Sequence, residues 1–123
     1  MDGTQTILVI DDEENIRELV RAILENAGYT VLEAADGSIG IEVFRANQVD
    51  LIITDLIMPG KEGIETISEL KKEQPDVKVI AMSGAVNSST YLHMAGSLGA
   101  DETISKPFHM HELLETVERL LNQ

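Results

Sequence analysis

DLIITDLIMPG, residues 50–60, runs a short apolar segment straight into an aspartate and then into a Pro-Gly turn. Leu51, Ile52 and Ile53 form a continuous apolar, largely β-branched run, which is typical of a strand buried on both faces. Asp55 closes this run at a position where no helix cap requires a carboxylate. A buried strand that finishes on an acid predicts a functional carboxylate at one edge of a sheet.

The rest of the chain alternates short apolar runs with helical patterns. The strands are predicted at 6–10, 30–35, 50–54, 77–82 and 101–105, and the helices at about 16–27, 38–47, 64–70, 91–98 and 113–121. Continuous apolar strands joined by helices favour a parallel sheet that is covered on both faces. We therefore predict an α/β fold of the (βα)5 type, with a doubly wound, five-stranded parallel sheet.

Composition narrows the classes of function. The 123 residues carry a formal net charge of −13, from 22 acidic and 9 basic side chains, which disfavours direct binding to nucleic acid or to an anionic membrane. No cysteine is present, so disulfides and zinc–thiolate sites are excluded. The chain has no basic leader and no apolar run near the roughly 20 residues of a membrane span. We expect one cytoplasmic domain over 1–123, without membrane insertion or an output domain.

Polar residues follow the predicted strands at their carboxyl ends, where parallel sheets place their binding sites. Strand one is followed by Asp11-Asp12, strand three by Asp55, strand four by Ser83 and strand five by Lys106. If strands one and three are neighbours, the three aspartates meet in one crevice. A helix-capping role for Asp11 and Asp12 is the competing interpretation of that pair.

Clustered carboxylates need a compensating charge. Two like charges 4 Å apart repel by about 4 kcal/mol at an effective dielectric constant of 20. A hard cation held by carboxylates, a carbonyl and water relieves this repulsion, and such a set is typical of Mg²⁺. With Lys106 as a second positive group and Ser83 as a hydroxyl donor, the crevice would accept phosphoryl oxygens. Asp55 would then be the nucleophile, forming an acyl phosphate.

These motifs resemble the receiver domain of two-component response regulators (the CheY-like family) over the whole chain. The resemblance is carried by the acidic pair Asp11-Asp12, by TDLIMPG at 54–60, by MSG at 82–84 and by SKPF at 105–108, in that order along the chain. It implies a flavodoxin-like sheet with strand order 2-1-3-4-5. It also implies a signalling domain that catalyses only its own phosphorylation and dephosphorylation.

The resemblance assigns a role to each matching residue. Asp55 would accept a phosphoryl group from a sensor histidine kinase or a histidine phosphotransfer protein. Mg²⁺ would be held by Asp11, Asp12, Asp55 and the backbone carbonyl of Ile57. Ser83 and Lys106 would contact the phosphoryl group, and the bond from Lys106 to the following proline would be cis.

The family also implies an output surface, formed by the predicted 91–98 helix, strand five and the closing helix. Receivers use this surface to dock a downstream partner, to dimerise after phosphorylation, or as a route to onward transfer of the phosphoryl group. Two departures from the family pattern concern it. Thr103 stands where receivers usually carry an aromatic residue, and His109 opens the closing helix where a better cap is usual. Ile57 and Ala85 stand at positions that tune the phosphoryl lifetime in the family. Neither offers a group that could align a hydrolytic water, so the resemblance predicts a long-lived phosphoryl state.

Other functions compete with the receiver hypothesis. A haloacid dehalogenase-type phosphatase needs a second aspartate two residues after the nucleophile, where this chain has Ile57. A flavodoxin-like FMN binder needs a first loop that accepts phosphate, whereas DDEEN at 11–15 would repel it. A receiver that binds partners without phosphorylation, and a receiver cut from a larger regulator, remain open.

Overall fold

The computed structural model of the chain describes residues 4–56, 63–84, 93, 96 and 99–122. Its strands are β1 (Thr6–Ile10), β2 (Thr30–Ala34), β3 (Leu51–Asp55), β4 (Lys78–Ser83) and β5 (Glu102–Ser105). Its helices are α1 (Glu14–Asn26), α2 (Gly37–Ala46), α3 (Gly63–Glu73) and α4 (Met110–Leu121). The predicted 91–98 helix lies mostly outside the described residues, as do Ile57 and Ala85.

All five strands are parallel and lie in the order β2-β1-β3-β4-β5, which confirms the predicted fold class and strand order. The core consists of one buried cluster on each face of the sheet. Alternate residues of β1 show the division, because Leu8 and Ile10 pack towards α2 and α3, whereas Ile7 and Val9 pack towards α1 and α4. This double coverage explains why the strands are continuous apolar runs.

The end of β3 differs by one residue from the prediction, and the difference matters for the site. The predicted strand stopped at Thr54, but β3 continues through Asp55 because Asp55 pairs with Met82 of β4. The amide of Leu56 then donates to the carbonyl of Met82 at 3.0 Å. At the other end, Asp50 precedes the strand, and its Oδ2 accepts from the amide of Thr6 at 2.8 Å.

No helix within the described ranges combines the length and the apolar character that a bilayer span requires.

The N-caps of α2 and α4 differ, and this difference predicts unequal losses of stability when each cap residue is replaced. The side chain of Asp36 caps α2 by accepting from the amide of Ile39 at 2.8 Å, whereas the N-cap of α4, His109, makes no side-chain cap bond. We expect Asp36→Ala to lower the free energy of unfolding by about 1 kcal/mol, because it leaves that amide without its partner. His109→Ala is the matched control and should change the free energy much less. Urea unfolding measures both variants, and equal losses would contradict the assignment of the Asp36 cap.

Candidate functional site

Three aspartates converge where the carboxyl ends of the parallel strands meet. Asp11 follows β1 and Asp55 ends β3, and the two strands are paired with Ile10 opposite Thr54. Carboxylate oxygens from Asp11, Asp12 and Asp55 all lie within 4.8 Å of one another. Asp11 is fully buried, Asp55 is 6% exposed and Asp12 is exposed. The convergence expected if strands one and three were neighbours therefore occurs.

Asp11 is held by four hydrogen-bonding groups. Its amide donates to the carbonyl of Ala34 at 3.1 Å, and its carbonyl accepts from the Arg17 guanidinium at 2.7 Å. In its side chain, Oδ1 accepts from the amide of Glu13 at 2.9 Å and Oδ2 accepts from Lys106 at 2.9 Å. Because Glu13 is the N-cap of α1 and makes no side-chain cap bond, Asp11 supports the start of α1 and also faces the acidic crevice. The capping role and the site role are thus compatible in one residue.

Lys106 places an ammonium group among the carboxylates. Its Nζ lies 2.9 Å from Asp11 Oδ2, 3.4 Å from Asp55 Oδ2 and 3.4 Å from Glu13 Oε1, and its side chain is 13% exposed. Burial lowers the pKa of Lys106, but the hydrogen bond that its ammonium donates to Asp11 and the charges of Asp55, Asp11 and Glu13 together raise the pKa above its ordinary value. Lys106 therefore stays charged at neutral pH. The Lys106-Pro107 bond is cis, as the resemblance implied.

A cavity of about 450 Å³ opens beside these groups. Its polar wall includes Asp55, Ser83 and Lys106, and its apolar wall includes Ile16 and Pro107. Ser83 is the last residue of β4 rather than the first after it, is 1% exposed, and pairs with Ser105 of β5. The cavity thus brings the predicted nucleophile, hydroxyl and ammonium to one space that is open to small molecules.

The donor set fits a hard divalent cation. An octahedral Mg²⁺ binds oxygens at about 2.1 Å, which separates neighbouring and opposite ligands by about 3–4 Å. The cluster of Asp11, Asp12 and Asp55 has nearly that spacing, so these residues could hold the ion directly or through retained water. The backbone carbonyl of Ile57, the remaining predicted ligand, lies outside the described residues.

Two residues near the site had no predicted role. Glu13 belongs to the acidic run after strand one, and the structure shows that it reaches Lys106 and lines the cavity. Arg17 contacts the backbone of Asp11. The sequence offers only a weak signal for this role of Arg17, namely its position one turn into the helix that follows the acidic pair. The second partner of Arg17, Glu33, is 16 residues away on β2, so no local pattern reveals that contact.

Comparison with known proteins places this geometry in a family. The protein-family model described as "Response regulator receiver domain" matches residues 7–118. The DNA-binding transcriptional regulator NtrC of Azospirillum brasilense is 39% identical over 95% of this chain, although the match covers only 24% of that protein. Protein CcdB of Bacillus subtilis is 36% identical over 94% of this chain and 96% of its own length.

Solved structures agree with this match. Response regulator TrrA from Thermotoga maritima, determined in complex with Mg²⁺–BeF, superposes with a TM-score of 0.86 at 36% identity and covers 95% of this chain and 99% of that one. Several curated relatives are much longer than this chain, which spans 13% to 53% of their length.

Proposed function

The chain belongs to the response regulator receiver domains of two-component signal transduction, and on that premise we propose that Asp55 is its phosphoacceptor. The donor is a phosphohistidine on a sensor histidine kinase or a histidine phosphotransfer protein in the cytoplasm. The observation that carries the proposal is the placement of Lys106 Nζ 3.4 Å from Asp55 Oδ2, beside three clustered carboxylates. Receiver domains bind Mg²⁺ through such an acidic cluster.

The proposed transfer uses groups at the carboxyl edge of the sheet. A carboxylate oxygen of Asp55 attacks phosphorus, a new P–O bond forms, and the bond from phosphorus to the donor nitrogen breaks. Lys106 and Ser83 then contact the phosphoryl oxygens from the walls of the cavity. Mg²⁺, held by Asp11, Asp12, Asp55 and the Ile57 carbonyl, would supply charge neutralisation at those oxygens.

The same proposal includes a switch. The phosphoryl group adds about two negative charges, and we propose that they shift the surface formed by the 91–98 segment, β5 and α4. Ser83 pairs with Ser105 in β5, and Glu102 of β5 forms a 3.0 Å ion pair with Arg119 of α4, which supports a route from the site to that surface. Its output is partner docking, phosphorylation-dependent dimerisation or onward transfer.

Intact-mass spectrometry tests the phosphoacceptor directly. After incubation with acetyl phosphate and MgCl₂, the unmodified protein should gain the mass of one phosphoryl group, and Asp55→Asn should gain none, because an amide is not a nucleophile for phosphorus. Asp76→Asn is the matched control, since Asp76 is exposed in the turn before β4, at the opposite edge of the sheet, and should leave the gain intact. An undiminished gain in Asp55→Asn, or none in the unmodified protein, would contradict the proposal.

A mass gain that persists for hours would support the long-lived phosphoryl state predicted from Ile57 and Ala85.

A further inference from the structure

We infer that Arg17, held in place by Glu33, is a positioning residue that fixes Asp11 for cation binding. The inference rests on the proposed magnesium-dependent function and extends it to the support of a metal ligand. Arg17 donates from Nη1 to the backbone carbonyl of Asp11 at 2.7 Å and from Nε to Glu33 Oε1 at 3.2 Å. The guanidinium therefore bridges the loop after β1 to strand β2.

The bridge completes a two-sided attachment of Asp11 to β2. The amide of Asp11 donates to the carbonyl of Ala34, while its carbonyl is tied through Arg17 to the neighbouring residue, Glu33. Both main-chain polar groups of Asp11 are thus anchored to adjacent residues of the same strand. The side chains of Arg17 and Glu33 are only 15% and 24% exposed, so this attachment is partly shielded from water.

Such anchoring matters because Asp11 lies on a loop rather than in a strand or helix. Mg²⁺ demands near-ideal octahedral geometry, so a ligand that shifts binds it less well. Groups that orient metal ligands typically contribute about 10- to 100-fold to metal affinity. A guanidinium can serve both partners through its fixed fork of donors, whereas a lysine ammonium is a point charge without that geometry.

Electrostatics alone predicts the opposite change in Mg²⁺ affinity when Arg17 is removed. Arg17 is a cation near the acidic cluster, so removing its charge without any change in geometry would strengthen cation binding. A loss of affinity on removing Arg17 therefore identifies positioning rather than charge.

Arg21 provides a matched control on the same helix. It contacts the same partner, with Nη1 2.7 Å from Glu33 Oε2, and it also reaches Glu25 at 3.0 Å. Its side chain is 47% exposed, and neither of these contacts involves Asp11. Arg21→Gln thus removes an equal charge from the same ion-pair network while leaving the Arg17–Asp11 bond in place.

The experiment is a calorimetric titration of MgCl₂ into the unmodified protein, Arg17→Gln, Arg17→Lys and Arg21→Gln. Both Arg17 variants should bind Mg²⁺ about tenfold more weakly, whereas Arg21→Gln should bind like the unmodified protein. The Mg²⁺ concentration that half-saturates phosphorylation by acetyl phosphate should rise by the same factor, with the rate at saturating Mg²⁺ unchanged. General loosening of the fold would instead lower that saturated rate.

Each outcome decides the inference. If the unmodified protein binds Mg²⁺ and both Arg17 variants bind it equally well or more tightly, the positioning role is overturned while the proposed function stands. If the unmodified protein does not bind Mg²⁺, the proposed function fails as well. Should Arg17→Gln fail to fold, as judged by its thermal unfolding, the titration of Arg17→Lys decides.

Discussion

Replacing Lys106 by methionine is expected to slow phosphorylation of Asp55 by acetyl phosphate about 100-fold, the usual scale for losing one group that stabilises transition-state charge. The same variant should bind Mg²⁺ several-fold more tightly, because the ammonium lies 2.9 Å from Asp11 Oδ2 and 3.4 Å from Asp55 Oδ2 and repels a cation there. Methionine keeps an unbranched stem of similar length, so packing against Gly84 is largely retained. Phosphorylation rates at saturating Mg²⁺ and calorimetric titrations measure the two effects.

The prediction is specific because the phosphorylation rate should fall while the affinity for Mg²⁺ rises. Lys72→Met is the matched control, since it removes the same charge from an exposed position on α3 and should alter neither quantity. A Lys106→Met protein that is phosphorylated at the unmodified rate would show that the ammonium does not act on the transferred group. Weaker Mg²⁺ binding would show instead that Lys106 supports the carboxylates rather than competing with the ion.

The second large effect is expected at Gly63, the first residue of α3. A Cβ atom there would lie 2.1 Å from the backbone oxygen of Asp55 and 2.6 Å from Leu56 Cα, so it would collide with main chain that cannot rotate away. We expect Gly63→Ala to lower the free energy of unfolding by about 2–3 kcal/mol, as for overpacked cores. Relief of the collision requires α3 or the end of β3 to move, and that movement would also displace Asp55. Phosphorylation should therefore slow even under conditions where the variant is folded.

Gly96→Ala is the matched control for Gly63→Ala. A Cβ atom at Gly96 meets nothing within 4 Å, so only the backbone preference of the residue changes there. Urea unfolding should show Gly96→Ala close to the unmodified protein and Gly63→Ala far below it. Similar stabilities for the two variants would contradict the close approach of α3 to Asp55.

Much of the site could be predicted because local patterns determine it. The continuous apolar runs 6–10 and 50–54 indicated buried parallel strands, and parallel strands carry the residues at their carboxyl ends to one edge. That rule was enough to bring Asp11, Asp12 and Asp55 together once β1 and β3 were neighbours. The strand order itself came from the family resemblance, since right-handed crossovers alone leave several orders open.

The remainder depended on contacts between distant segments. That β3 runs through Asp55 follows from the pairing of Asp55 with Met82, which no local pattern reports. The Arg17–Glu33 bridge joins a helix to the edge strand, and the close approach of Gly63 to Asp55 depends on how α3 packs. Sequence patterns therefore identified the candidate site residues, whereas the groups that hold them in place required the three-dimensional structure.

The most direct test of the central claim, that three carboxylates share one divalent ion beside an ammonium, is paramagnetic nuclear magnetic resonance with Mn²⁺. Mn²⁺ takes the same oxygen ligands as Mg²⁺ and broadens the signals of nearby amides. Substoichiometric Mn²⁺ should first broaden the amides of Asp11, Asp12, Asp55 and Lys106, and excess Mg²⁺ should restore them. Broadening that begins instead at the opposite edge of the sheet, around Asp50 and Asp76, or that spreads evenly over the exposed acidic residues, would contradict the claim.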